Sequence, residues 1–411
     1  MSRWITRNQW PAVSSHRTAI RRHAKDGTTI AASSHPSLRS RCSVHKSDSL
    51  PGALSIMSLL LFSALPAVGR ADASGWDLSP SVSANYDWLR VDEDSRPFVD
   101  QTDFRRARLG FVLKGGDGWM LRAEHDLENR TAPELSLQWQ SENGHRWRFG
   151  QYKHPFLLDD VINERQTPLM EEALSSVYAI NRRLGVEYAH LSSVQAMHVS
   201  LYGKRLDGTA EGLGLAARFA RVLRRSEQGL WHLGASLAID DPRNDQARYS
   251  VRPEAGIADR RLADTGTFDD VKQNQRFAIE ALWLHGAWSV QAEQAIGRVT
   301  RDGSDSFDSR SSYALLSWSP TGHQRSYKQG IVGSPEFSAG ERPWELFLRY
   351  SDIDLDDGAV LGGQQHDWTA GATWYVSSSV RLLGNITRAN SLRRGVADAP
   401  TLYQFRIQWA F

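Results

Sequence analysis

The chain has 411 residues, 40% hydrophobic and 23% charged, with a formal net charge of +2. Its mean hydropathy is −0.47. With no run of about 18 apolar residues, a bundle of membrane-spanning helices is excluded. Crossing a membrane as β-strands is not excluded, because half of each strand can face water; the length alone also accommodates several soluble domains.

Residues 1–73 read as a leader. Pro51 to Val68 contains a short apolar run, Ile56 to Leu65, followed by Ala71-Asp72-Ala73, the small-x-small pattern of a signal-peptide cleavage site. Residues 1–50 are far longer than a usual basic n-region and lack periodicity. Two readings stand: a mis-assigned start, with a true start near Val44 giving the short basic opening Val44-His45-Lys46, or a real disordered extension. Cys42, the one cysteine, falls in this leader, so the mature chain 74–411 has no disulfide framework and no thiolate metal site. The leader also holds ten of the 49 Lys and Arg and three of the 47 Asp and Glu, so the mature chain carries 39 against 44, a net charge of −5. No general nucleic-acid footprint follows.

From Ser81 onward the pattern is alternation at period two, broken by turn signals. Phe104 to Lys114 sets Ala107, Leu109, Phe111 and Leu113 against Arg106, Arg108, Gly110 and Val112, and ends at the tight turn Gly115-Gly116-Asp117-Gly118. Trp119, Leu121 and Ala123 then alternate with Arg122, Glu124 and Asp126. Leu135, Leu137 and Trp139 follow. After Glu142-Asn143-Gly144, Trp147 and Phe149 alternate with Arg146 and Arg148. Further strands are expected near 182–191, 194–204, 211–222, 228–240, 275–285, 287–297, 310–319, 343–354, 365–376, 378–390 and 401–411. With one near 81–91 this makes about sixteen, each near the ten-residue length a tilted barrel strand needs. Connections alternate between short turns and longer loops, except that Pro320 to Pro343 falls where a short turn is due. In the last strand Tyr403, Phe405, Ile407, Trp409 and Phe411 share one face, and Gln404, Arg406, Gln408 and Ala410 the other. An aromatic face running to the last residue fits a closing strand whose outside meets lipid. A soluble sandwich or propeller also alternates, but its outer face is rich in Lys and Glu; here the polar face is rich in Arg and Gln, and no blade repeat is present.

In these segments the chain resembles the phosphate-selective porin O/P family of bacterial outer membranes. The resemblance rests on Phe104-Arg-Arg-Ala-Arg-Leu-Gly110, Phe149-Gly-Gln-Tyr-Lys-His-Pro-Phe156, Met170-Glu-Glu-Ala-Leu174 and Arg182-Arg-Leu-Gly-Val186. Thr321-Gly322, Trp344-Glu-Leu-Phe-Leu-Arg-Tyr-Ser351, Asp354-Leu-Asp-Asp357, Gly362-Gly363 and Ala372-Thr-Trp-Tyr-Val376 extend it. Each motif is weak alone; their order and spacing are specific. The resemblance implies an all-β transmembrane antiparallel barrel of sixteen strands, a homotrimer, and a third outer loop folded inward as the constriction. It also implies a late periplasmic turn reaching toward the lumen, which accounts for the length at 320–343 with Arg325 and Lys328. The anion ladder of the family's best-known members is not matched residue by residue, so selectivity is not carried over with the fold.

The third outer loop is expected at Lys153 to Asn181, 29 residues that cannot be a hairpin turn. Phe156, Leu157, Leu158, Val161, Ile162, Leu169, Met170 and Leu174 are too apolar for a free solvated loop and point to packing on the inner wall, or else on the loop itself or a trimer neighbour. The expected lumen face carries Arg106, Arg108, Arg122, Arg146, Arg148, Arg183, Arg218, Arg349, Arg381 and Arg406, and arginine favours anions in a narrow pore. The same face holds Asp87, Glu124, Asp126, Glu187, Asp240, Glu280, Glu293 and Glu345, so wall-bound pairing is the competing reading for each arginine. On the loop, Lys153, Arg165 and the flanking Arg182 are opposed by Asp159, Asp160, Glu164, Glu171 and Glu172. Acids on a loop facing an arginine wall would set up the transverse field of a general diffusion pore. A dedicated phosphate site would need several uncompensated cations converging.

Other chemistries lack support. No HExxH, CxxC, P-loop or GxSxG stands in a convincing context. His154, His190, His198, His232 and His285 form no ligand cluster, so neither metal nor cofactor is expected. The expectation is therefore an outer-membrane porin passing small hydrophilic solutes, with anions including phosphate ahead of a non-selective pore, and no enzyme. Its partners are the lipid bilayer, two further copies and the assembly machinery that reads Phe411. The alternative of a different class is a secreted soluble β-rich enzyme, such as a glycosidase with two carboxylates.

Overall fold

The computed structural model describes residues 75–92, 98–209, 212–242 and 244–411. The expected leader, its cleavage pattern and Cys42 lie outside the described residues. Sixteen antiparallel strands close into a barrel. In chain order they are β1 (Asp77–Asp92), β2 (Gln101–Lys114), β3 (Trp119–Asp126), β4 (Thr131–Gln140), β5 (His145–Lys153), β6 (Arg182–Leu191), β7 (Gln195–Tyr202), β8 (Leu213–Ser226) and β9 (Gly229–Asp241). A small hairpin of β10 (Ser250–Val251) and β11 (Ala263–Asp264) follows, then β12 (Val271–His285), β13 (Trp288–Arg301) and β14 (Phe307–Trp318). A second hairpin, β15 (Arg325–Lys328) and β16 (Ile331–Pro335), precedes β17 (Trp344–Asp357), β18 (Val360–Tyr375) and β19 (Val380–Arg393). A short β20 (Val396–Asp398) leads to the last strand, β21 (Thr401–Ala410).

Period-two alternation decides which way each side chain faces. Leu109, Phe111, Trp147, Phe149, Leu346, Leu348, Tyr403, Phe405 and Ile407 are exposed on the outer wall, while Gln404, Arg406 and Gln408 are buried inside. The expected strand at 182–191 is found with those bounds, and the others agree within a few residues. Tryptophans pair across strands at the end that carries the short turns: Trp119 with Trp139, Trp231 with Trp283, Trp288 with Trp318 and Trp344 with Trp374. The last two pairs stack, with ring centroids 5.5 and 5.3 Å apart. Such a girdle suits rings that are apolar in body and polar at one edge, held at the membrane–water boundary.

The barrel closes where β21 pairs with β1, opposing Trp409 to Ala84 and Arg406 to Asp87. The Val82 and Phe411 backbones exchange hydrogen bonds of 3.0 Å in both directions. One irregularity bears on the lumen. The β1–β2 register shifts between Asn85 and Tyr86, so Asn85 opposes Arg106 while Tyr86 opposes Phe104. The extra residue, Arg105, bulges inward.

Candidate functional site

Among the described residues, three segments enter the barrel. The first is the loop joining β5 to β6, which lies against the inner wall with Phe156, Leu157, Leu158, Leu169 and Met170 buried. Its folded backbone has polar groups to satisfy, and the wall supplies the partners. The amides of Leu158 and Asp159 donate to the Glu293 carboxylate at 2.9 and 3.3 Å. Its carbonyls are held by arginines: Glu164 O by Arg381 Nη2 at 2.7 Å, Thr167 O by Arg381 Nη1 at 2.9 Å, Met170 O by Arg406 Nη1 at 2.6 Å and Glu171 O by Arg349 Nη2 at 3.0 Å.

The second segment is the β15–β16 hairpin, so the extra length at 320–343 is an inward-reaching turn. At its tip Gln329 and Gly330 have φ of 53° and 81°. Gly330 O accepts Arg218 Nη2 at 2.8 Å, and a Cβ on Gly330 would stand 2.8 Å from the Ala196 methyl, so only glycine fits without displacement. Arg325 bonds Glu345 at 2.8 Å and also the loop carbonyl of Gln166. Val332, Ile331 and Tyr327 pack with Leu158 and Ile162 of the loop and with Leu230, Leu282 and Leu284 of the wall. Hairpin and loop thus brace each other.

The third segment belongs to the loop between β9 and β12. Glu254, at φ 43°, inserts its carboxylate among wall side chains, 2.7 Å from Arg349 Nη2 and 2.5 Å from Thr369 Oγ1.

What stays open is a cavity of about 400 Å³ along the strands opposite these seats. Arg106, Arg108, Arg122, Arg146, Arg148, Lys153, Arg165, Arg182 and Arg218 all line it, nine cations against the five carboxylates Glu124, Glu134, Glu164, Glu172 and Glu187. Most of the cations are paired. Arg108 meets Asp126 at 3.1 Å, Arg146 meets Glu187 at 2.5 Å, and Lys153 meets Asp160 at 2.9 Å and Glu172 at 3.2 Å. Arg148 pairs with Glu134 and Arg106 with Glu164. Arg218 is bound to Glu280 through two hydrogen bonds of 3.1 and 2.6 Å. Arg122 and Arg182 differ: among the described residues neither is in an ion pair, and the Nε of each, like that of Arg146, is buried without a hydrogen bond.

Two of the expected pore residues lie elsewhere. Arg349 is 1% exposed, held between Glu254 and the loop, and Arg183 donates to Gly212 O at 3.2 Å with its guanidinium over the Tyr202 ring. The loop acids are also not arrayed as a row facing the lumen. Asp159 is buried, accepts the Ala173 amide at 2.7 Å and lies 3.9 Å from Arg349; Asp160 is buried against Lys153. Glu171 lines a separate recess of about 230 Å³ with Arg105, Arg252 and Arg261. Glu164 and Glu172 line the cavity, but both are paired. The expected transverse field therefore has little free carboxylate on its loop side. The loop folds so that its acids serve as anchors.

These burials tune the loop groups. Burial pushes the Asp159 carboxyl up to about 6, against the pull of Arg349. Burial raises Asp160 as well, with Lys153 opposing. For Glu171 burial acts upward, but Arg105 and Arg406, at 3.3 and 2.7 Å, overrule it and hold the carboxyl down at about 2. Burial lowers Arg165, and neighbouring Arg122 adds to the shift while Glu124 opposes it.

Sequence reasoning missed Arg105, Arg276, Glu134 and Glu254. Arg105 sits on the lipid phase of a regular strand, and only the bulge turns it in. Arg276, inward of the outward Phe277, was readable from alternation; it pairs with Asp240. Glu134 lay just beyond the expected strand edge, and Glu254 is a loop residue with no periodic signal.

The fold has solved relatives. OmpT folded in vitro, an outer membrane protein of Vibrio cholerae, aligns with a TM-score of 0.55 at 11% identity, covering 83% of this chain and 99% of that one. An anion-selective porin from Comamonas acidovorans gives 0.54 at 13% identity, covering 82% and 100%. The outer membrane channel DcaP of Acinetobacter baumannii gives 0.51 at 11% identity, covering 84% and 100%. At such identities the likeness is one of fold. An uncharacterized protein of Caulobacter vibrioides is 26% identical over 327 residues, an alignment covering 72% of this chain and 65% of that protein's length. The family model of phosphate-selective porin O and P matches residues 83–411. Barrel, girdle and family together make this an outer-membrane β-barrel of bacteria, and the chain belongs to the phosphate-selective porin O and P family.

Proposed function

We propose that the barrel is a passive channel for small hydrophilic solutes with a weak preference for anions, phosphate among them. The observation that carries this is the excess of Arg and Lys over Glu along the open cavity, with Arg122 and Arg182 outside any ion pair among the described residues. Fixed cations in a narrow, partly dehydrated path attract anions and repel cations. The preference is weak because Arg106, Arg108, Arg146, Arg148 and Lys153 are already paired. That pairing also favours a second reading, a non-selective diffusion pore. Family and fold point to a channel rather than an enzyme. The working unit in this reading is a homotrimer, and Tyr403, Phe405, Trp409 and Phe411 form the closing-strand signal for the assembly machinery. Residues 1–73 are a leader removed on export; an amino-terminal sequence of the mature protein that begins upstream of Pro51 would refute this.

The test is the reversal potential across a planar bilayer in a salt gradient, with phosphate added as a blocker. An anion-signed potential is expected, with phosphate blocking only at high concentration. Block at low concentration would replace the weak-preference reading with a phosphate-specific one. A potential near zero favours the non-selective pore, and folded protein without conductance overturns both.

A further inference from the structure

The cavity has an apolar side that inorganic anions cannot use. Val161 and Ile162 of the loop and Ile331 of the hairpin line it together with the arginines. These three belong to one packed group around Leu158, Leu282 and Val332, so they form a continuous shelf. The shelf adjoins the cationic wall: Ile331 follows Gly330, whose carbonyl is bonded to Arg218. Next to Arg218 in the strand register is His198, only 4% exposed, whose Nε2 lines up with no partner. Its Nδ1 lies 3.4 Å from Arg146 Nη2 and 3.5 Å from Glu187 Oε1, so the ring is fixed beside the cationic wall that it lines.

Phosphate would gain from Arg122 and Arg182, which line the cavity outside any ion pair among the described residues, but would bring a tightly held hydration shell against the shelf. An anion with a carboxylate at one end and an apolar body at the other meets both surfaces: the carboxylate takes the donors, and the body covers Val161, Ile162 and Ile331. We infer that the cavity binds organic carboxylates with an aromatic or branched apolar body in preference to inorganic phosphate. This rests on the reading of the barrel as an anion-preferring channel and narrows it to a substrate class.

The test uses chloride current through the intact folded barrel, titrated with benzoate, acetate and inorganic phosphate. Benzoate is expected to halve the current at a concentration about tenfold lower than either of the others, the scale expected when part of a ring leaves water. Val161→Ser and Ile331→Ser, at partly exposed positions, should raise the benzoate concentration toward that of acetate and leave acetate and phosphate unchanged. The inference is overturned if phosphate blocks at or below the benzoate concentration in the unmodified barrel, or if benzoate does no better than acetate. It is also overturned if the serine variants weaken all three blockers alike. A barrel with no anion preference in a salt gradient removes the underlying reading and the inference with it; anion preference without benzoate selectivity removes the inference alone.

Discussion

Arginines on the two halves of the barrel wall do opposite jobs. On β17, β19 and β21, Arg349, Arg381 and Arg406 are at most 5% exposed, and their guanidinium groups satisfy loop carbonyls, a glutamine or buried carboxylates. On β2 and β5, the paired Arg106, Arg108, Arg146 and Arg148 keep 13–21% of their side chains exposed, toward an open cavity. One set is mortar for the inward loop; the other gives the path its charge. The difference teaches that arginines counted along a lumen face do not measure the charge a solute meets. A guanidinium with five donors can be wholly used in holding backbone.

The contrast can be broken most forcefully at the seam. Arg406 holds Asp87 through two bonds of 2.6 Å, Met170 O at 2.6 Å and Glu171 at 2.7 Å. Arg406→Ala leaves a buried carboxylate without its partner and should cost about 3–5 kcal/mol. It should appear as a lower temperature for the heat-induced gel shift, accompanied by noisier conductance as the loop loosens. An unchanged transition temperature would mean that the covered wall is not held by its arginines.

A smaller effect is expected from pH. The Asp159 carboxyl, ordinarily near 3.8, is raised to about 6. The folded barrel therefore takes up this proton before the unfolded chain does, and stability should fall as pH rises from about 4 to about 6, by about 2–3 kcal/mol. Glu171 works in the other direction. Its carboxyl is held at about 2 against an ordinary 4.5, so its support is present above 4.5 and is lost as pH falls toward 2. Thermal unfolding in detergent should thus be most resistant near pH 4–5. Asp159→Asn should flatten the decline between about pH 4 and about pH 6; a variant that keeps the full decline assigns it to another group.

The least effect on stability, and the clearest on transport, is expected on the open wall. Arg182→Ala and Arg122→Ala remove guanidinium groups whose Nε has no partner, so stability should change by within about 0.5 kcal/mol. The reversal potential should move toward zero in each, further in the double variant. If these variants unfold like Arg406→Ala, the two walls are not different in kind.

Much of the fold was legible because its signal is local. A strand facing lipid outside and water inside writes its period into every second residue, so Phe104 to Lys114 and Tyr403 to Phe411 could be assigned to faces before any contact was known. The inward hairpin announced itself as surplus length at Pro320 to Pro343, and the inward loop as apolar residues with nowhere else to pack. The site was less legible because its charge depends on pairing. Asp87 and Arg406 meet across 319 residues of sequence, and Glu134 meets Arg148 only through register. Arg105 was hidden by one inserted residue, and Glu254 by its place in a loop where no period exists.

The backbone bonds between Val82 and Phe411 have a consequence for how the chain reaches this state. They lie where β21 meets β1, the two barrel strands furthest apart in sequence, so the ring cannot be completed until β21 is in place. Every earlier hairpin can form from neighbours alone, whereas this step bears the loop-closure entropy of the entire barrel. Until then the first strand presents an open edge, ready to pair with any stray strand.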